Sequence, residues 1–125
     1  MPSDGPGTDI WPVEIRLKTA EKRLEVDFDN GDRFSYPAEL LRVESPSAEV
    51  QGHGPSQKQI IGGKRHVGID RLEPVGNYAV RIVFDDGHST GLFSWQYLHG
   101  LGRDQDSIWA AYLKALEERG LRREP

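Results

Sequence analysis

The sequence contains no cysteine. Disulfides, thiolate metal sites, cysteine-held iron–sulfur clusters and cysteine nucleophiles are therefore excluded for this chain. No apolar run approaches the roughly 20 residues that span a bilayer. The first twelve residues carry Gly, Pro and acids where a leader would carry an apolar segment, so the expected compartment is the cytoplasm. Basic charge is in deficit. Sixteen Lys and Arg stand against 20 Asp and Glu, a formal net charge of −4, so neither nucleic acid nor an anionic membrane is an expected partner.

Several catalytic signatures are missing as well. The four histidines, His53, His66, His88 and His99, form no His-x-Asp or His-x-Glu pair and no His-Glu-x-x-His. There is no Gly-x-Ser-x-Gly elbow. Gly62-Gly63-Lys64-Arg65 looks like the end of a phosphate loop, but Lys58 stands where the first glycine belongs and Arg65 where Ser or Thr would bind magnesium. Asp85 and Asp86 are paired carboxylates, yet in a hairpin turn they are turn residues first.

What is present is a short unit used twice. Val13, Ile15 and Leu17 alternate with charged residues, as do Leu24, Val26 and Phe28, which is strand period. Asp29-Asn30-Gly31 then predicts a hairpin turn, because Asn and Gly accept the positive φ that such turns need. Arg33 to Tyr36 returns as a strand, Pro37 suits a first helical position, and Ala38 to Arg42 predicts a short helix. Later, Tyr78, Val80, Ile82 and Phe84 alternate in a strand expected to be covered on both faces. Asp85-Asp86-Gly87 makes the turn, His88 to Phe93 the return strand, and Ser94 caps a helix stopped by Gly102. Phe28-Asp29-Asn30-Gly31 matches Phe84-Asp85-Asp86-Gly87 at an offset of 56, and Tyr36 with Glu39 to Leu41 matches Phe93 with Gln96 to Leu98 at 57. This order suggests a structural repeat. A last helix, capped by Ser107, carries the apolar stripe Ile108, Trp109, Tyr112, Leu113 and Leu116 and ends at Gly120.

The expected fold is α+β. An antiparallel or mixed sheet comes from two hairpin–helix units, with a C-terminal helix added, in one domain over residues 11–120 between a disordered tail (1–10) and a frayed one (121–125). Between the units, residues 44–64 form a connection rich in Gly, Ser, Pro and Gln, too long to be a plain linker within a compact domain. Lys58, Lys64, Arg65, His66 and Arg71 gather in and just after it as a candidate surface for an anion or an acidic partner. A solvated loop is the plainer reading of those charges.

The segment Val75-Gly76-Asn77-Tyr78-Ala79-Val80-Arg81-Ile82, then Asp86-Gly87-His88, Gly91-Leu92-Phe93-Ser94 and Tyr97-Leu98, resembles the N-terminal domain of gamma-butyrobetaine hydroxylases in its free-standing bacterial form of unknown function. Leu24-Glu25-Val26, Gly31, Tyr36-Pro37 and Leu40-Leu41-Arg42 fit the first half, and the resemblance covers about residues 12–102. In the hydroxylases it implies a structural zinc held by three cysteines and the histidine of Asp-Gly-His. Carried over, the cysteine positions fall on Ser45, Ser47 and Val50, and the histidine is His88. One ligand of four remains, so no closed tetrahedral zinc site is expected; His53, Glu44 or Glu49 are the residues from which a weaker, oxygen-rich site would be completed. Without its zinc clasp, the 44–64 connection is expected either to be mobile or to be held by Ser45, Ser47 and His88. The sequence holds no dioxygenase half, so the resemblance implies no hydroxylase activity.

The functional expectation is a non-catalytic accessory module, monomeric, with no cofactor, that docks on another protein. Relatives fused to P-loop iron–sulfur carriers make such a carrier, and metalloprotein maturation, the implied setting. Lys58, Lys64, Arg65, His66 and Trp95 are the candidate contacts, with Trp11 beside them. A metal-binding module using His88 with nearby carboxylates is the alternative, and a small enzyme with a histidine base is the third reading.

Overall fold

The computed structural model describes residues 10–52 and 55–125. Residues 1–9 and His53 lie outside the described residues, and with them the expected N-terminal tail. The elements run β1 (Pro12–Lys18), β2 (Arg23–Phe28), β3 (Arg33–Pro37), α1 (Ala38–Val43), α2 (Ala48–Gln51), a 3-10 turn (Pro55–Gln57), β4 (Ile69–Val75), β5 (Ala79–Phe84), β6 (Leu92–Ser94), α3 (Trp95–Arg103) and α4 (Gln105–Glu118). The class is α+β, as expected. The strands are antiparallel, as one of the two expected sheet types has it, but they form two separate meanders, β1-β2-β3 and β4-β5-β6, in place of one sheet.

The repeat is written into the backbone. In the first turn the Phe28 N–H donates to the Asp32 carbonyl at 2.8 Å and Gly31 to Phe28 at 3.0 Å. In the second, Phe84 donates to His88 at 2.9 Å and Gly87 to Phe84 at 3.2 Å. Gly31 (φ 93°) and Gly87 (φ 92°) take the same left-handed conformation, which closes a three-residue hairpin loop without splaying the strands. Asn30 Oδ1 accepts from the Asp32 N–H and Asp86 Oδ1 from the His88 N–H, both at 3.0 Å. Both β1 and β4 break register opposite the last residue of the next strand, between Pro12 and Glu14 against Phe28, and between Ile69 and Arg71 against Phe84.

The two units also clasp each other. Arg42 on α1 reaches the second turn, with Nε 2.7 Å from Asp86 Oδ2. His99, its counterpart on α3, reaches the first turn, with Nε2 2.7 Å from Asp32 Oδ2. Each helix therefore lies over the other unit's turn. Leu24, Val26, Phe28, Tyr36, Leu40 and Leu41 meet Val80, Ile82, Phe84, Phe93 and Leu98 in one core. Tyr36, fully buried, donates its hydroxyl to the Leu98 carbonyl at 2.6 Å, so the aromatic ring enters the core without an orphaned polar group. A smaller cluster of Val43, Tyr112 and Leu116, with Trp109 against it, seats α4.

Several local expectations are corrected by these contacts. Pro37 ends β3 and precedes α1, with ψ 143° in the extended region. The return strand shrinks to Leu92–Ser94, because His88 to Gly91 are drawn off by the 44–52 segment. Only one face of β5 is sealed, since Arg81 is exposed. Ser94 does cap α3, its Oγ accepting from the Tyr97 N–H at 3.1 Å. Gly102 is a packing residue and no stop signal: a methyl group there would lie 2.4 Å from the Phe34 ring. Asp104 precedes α4, and Ser107 sits inside it, donating to the Asp104 carbonyl. Leu113 leaves the buried stripe and is 39% exposed. Strand β4, where Pro74 and the acids mask the period, was not legible in the sequence. No helix among the described residues is long and apolar enough to cross a membrane.

Candidate functional site

His88 occupies the position that Asp32 holds in the first turn, and the chain has built on it. After α1 the 44–52 segment folds over the second turn, and Gly91 lets it approach. A Cβ on Gly91 would lie 2.2 Å from Ser45 Oγ and 3.2 Å from Pro46. Ser45 and Ser47 face the same ring nitrogen, with their Oγ atoms 3.0 and 3.3 Å from His88 Nε2. On the other side, His88 Nδ1 is 3.0 Å from Glu49 Oε1, which also accepts from the Thr90 hydroxyl. The Gln51 amide donates to the Ser45 carbonyl and ties the short α2 down. Ser45, Ser47, Val50 and His88 are all buried. Within the 44–64 connection, Ser45 and Ser47 do bond to His88, as the second of the two expectations has it.

Burial holds the His88 imidazole below its ordinary 6.5, and the Arg42 charge adds to this, while Glu49 and Asp86 pull the other way and Lys64 lowers it further. The ring is thus neutral at pH 7. With Nδ1–H donated to the Glu49 carboxylate, Nε2 is left to accept a serine hydroxyl proton. Beside it, burial pushes the Asp86 carboxyl up, but Lys64, the His88 N–H and Arg42 outweigh burial and bring it down to about 2. Lys64 Nζ lies 2.6 Å from Asp86 Oδ2. Arg42 Nη1 is buried without a hydrogen-bond partner. The first turn carries a simpler version: the hydrogen bond from His99 and then that from Asn30 lower the Asp32 carboxyl, and the His99 ring meets Phe28 and Phe34 edge-on.

Glu49, His88 and Ser45 are spaced like the acid, base and nucleophile of a serine hydrolase. Ser45, however, has no exposed surface, and the Gly91 backbone lies over its hydroxyl. A substrate carbonyl has no path to it in this conformation. The chemistry that the arrangement performs as it stands is structural: it holds the exit of α1 against the second hairpin.

This clasp has a pH signature. A folded-state pKa below 6.5 means that the unfolded chain binds the proton more tightly. Stability is therefore complete above the unfolded value and falls as pH drops below 6.5 through the folded one. The urea midpoint is expected to fall between pH 7 and 5, and to do so less steeply in His88→Ala. Parallel pH dependences for the two chains would refute the assignment.

The basic residues read from the sequence do not form a free patch. Lys58 pairs with Glu44 at 2.6 Å, Lys64 with Asp86, Arg65 with Glu124 at 2.6 Å, and Arg71 with Glu73 at 2.8 Å. His66 is exposed, and its carbonyl accepts from Lys22 Nζ. Trp95 is half-buried, with its indole N–H given to the Asn77 carbonyl, while Trp11 is 44% exposed. Sequence reasoning missed Arg42 and Gly91 as parts of the clasp; the one signal was that both stand inside the quoted motif blocks.

A duplicated α+β domain with a histidine clasp at its second turn is the class that the fold and site define. The chain belongs to the gamma-butyrobetaine hydroxylase-like, N-terminal family, whose model matches residues 15–99. Two proteins with NMR solution structures are similar to it. One is 46% identical with a TM-score of 0.80, over 92% of this chain and 90% of that one. The other is 45% identical with a TM-score of 0.82, over 98% and 92%. A crystal structure of a protein of unknown function from Acidithiobacillus ferrooxidans, in the DUF971 family, is 40% identical with a TM-score of 0.64, over 79% and 98%. No curated protein matches the chain.

The donor set does not fit the zinc that the resemblance implies. Serine hydroxyls are poor zinc ligands at neutral pH, Val50 offers no donor, and both His88 nitrogens are engaged within the clasp. Among the described residues, no group of three or more His, Asp or Glu could hold a metal ion.

Proposed function

We propose that this protein is a non-catalytic docking module whose partner is another protein, with an iron–sulfur carrier as the partner class and metalloprotein maturation as the setting. One observation carries the reading. The imidazole at the second turn, where related domains would bind metal, is buried and held on both nitrogens by Ser45, Ser47 and Glu49, so it serves to hold a surface in shape. A sealed centre on an intact scaffold fits recognition better than turnover. The carrier enters only through the resemblance to domains fused to such proteins.

The test mixes the purified chain with a purified P-loop iron–sulfur carrier, cluster-free and cluster-loaded, and follows complex formation by calorimetry and gel filtration. A saturable one-to-one complex, on the order of micromolar, is the expected result. Absence of a complex with either form at several times that concentration would remove the carrier from the reading.

A further inference from the structure

Residues 121–125, expected as a loose end, are seated in a groove. Gly120 (φ 66°) turns the chain back, with the Leu121 N–H on the Leu116 carbonyl at 2.9 Å. The Arg122 carbonyl then accepts from the Gly63 N–H at 2.8 Å, and the Arg123 carbonyl from the Arg65 N–H at 3.0 Å. Arg123 places Nε 2.9 Å from Glu39 Oε2 and Nη2 2.7 Å from Glu39 Oε1, so both carboxylate oxygens are taken. Its guanidinium lies 5.2 Å from the centroid of the Trp109 ring. The Glu39 side chain is only 6% exposed.

The Gly-Gly pair that looked like a phosphate loop has its explanation here. A Cβ on Gly62 would lie 2.8 Å from the Arg122 carbonyl oxygen, and Gly63 takes φ 76°. The groove thus has the two parts of an extended-peptide receptor. Main-chain donors two residues apart register the segment, and one acidic, aromatic-lidded pocket selects a side chain. A planar guanidinium is what fits that pocket, by bidentate pairing and by stacking on the indole, and an ammonium does neither as well.

We propose that the groove of Gly62–Arg65, Glu39 and Trp109 is a binding site for an extended, arginine-bearing peptide of a partner protein, and that residues 121–125 are its built-in occupant. The contacts of residues 122 and 123 with Gly63, Arg65, Glu39 and Trp109 are ones that a detached segment can also make. Attachment sets the competition, since a short tether holds the segment at about millimolar effective concentration. The inference rests on the docking reading for its use, and gives that reading a place on the surface.

The test uses the full chain with Arg123→Ala, which empties the pocket and removes the side chain that anchors the segment, so that an added peptide can displace it from Gly63 and Arg65. The synthetic peptide Leu-Arg-Arg-Glu-Pro is titrated in, beside a control with alanine at its third position. The amides of Gly63 and Arg65 and the Trp109 indole are followed by NMR. The arginine peptide is expected to shift these signals saturably, with the control and the native chain each about tenfold weaker or more. No saturable shift, or equal shifts from both peptides, would overturn the site.

If the variant does not fold, hydrogen exchange in the native chain decides. Gly63 and Arg65 are expected to exchange by local opening, faster than β2 and β5; exchange only through global unfolding would mean that the segment is not displaceable. Carrier binding without peptide binding removes this groove alone, and peptide binding without carrier binding removes the carrier alone.

Discussion

Replacing Ser45, Ser47 and Val50 together by cysteine is expected to turn the clasp into a tetrahedral zinc centre with His88. The two serine hydroxyls already sit 3.0 and 3.3 Å from His88 Nε2. Zinc bonds of about 2.3 Å to sulfur and 2.0 Å to nitrogen need sulfur and nitrogen roughly 3.5 Å apart. The segment has to open by only a few tenths of an ångström, while sulfur fills the space of the wider site. Val50 is fully buried on α2, three residues past Ser47, so a thiolate there would lie away from water.

Binding at metal concentrations about a thousandfold above Kd would add about 4 kcal/mol, which is roughly 10–20 °C in Tm at this chain length. Cobalt substitution should give the absorption bands of tetrahedral thiolate ligation. The native chain should show neither effect. Less than about a tenth of an equivalent of zinc in the folded variant, where a structural site binds one, would mean that these positions do not converge as the resemblance implies.

Arg123→Ala is expected to cost about 3 kcal/mol, read as a lower urea midpoint and a Tm lower by roughly 10 °C. The guanidinium holds both oxygens of Glu39, a carboxylate almost wholly out of water, and the substitution leaves that charge unpaired. Arg123 is itself about a third exposed, which places the loss at the low end for a buried pair. The loss also has a ceiling, because Glu39 reaches water once the segment lets go. In a Glu39→Gln background the same substitution should cost less, since no charge is stranded, and the difference is the coupling energy of the pair. A change within about 0.5 kcal/mol, as for an ordinary surface residue, would return residues 121–125 to the status of a free tail.

The hairpins were legible because their determinants are local. Alternating side chains place Leu24, Val26 and Phe28 on one face whatever lies beyond, and Asn30-Gly31 and Asp86-Gly87 close their turns within a few residues. The Ser94 cap is equally local. The misreadings arose where a residue answers to something distant. Gly102 looked like a helix stop because its neighbour, the Phe34 ring, is 68 positions away in the chain. Gly62 and Gly63 had no evident role once the phosphate-loop match failed, because the segment they make room for is residues 121–125. Ser107 looked like a cap because Ser and Asp are both favoured there, and the sequence alone does not say that α4 already begins at Gln105, after Asp104.

The candidate site divides in the same way. Part of it was legible: His88 follows Asp-Gly in the motif, and Ser45 and Ser47, named from the resemblance, do lie against it. Its state was not. Whether residues 44–52 hang free or close over the turn depends on Gly91, Glu49 and Thr90 meeting from separate segments, and on burial keeping the imidazole neutral enough to accept from a serine.

By itself, the sequence determined a duplicated hairpin–helix protein without thiol chemistry, because turn chemistry, alternation and composition act over a few residues at a time. Only the tertiary structure decided that the two units lock through Arg42 and His99, that His88 is held in a hydrogen-bonded clasp with Ser45, Ser47 and Glu49, and that Arg123 is seated against Glu39 and Trp109. Each of those rests on side chains some 40 to 80 positions apart in sequence, and their meeting is set by how the common core packs.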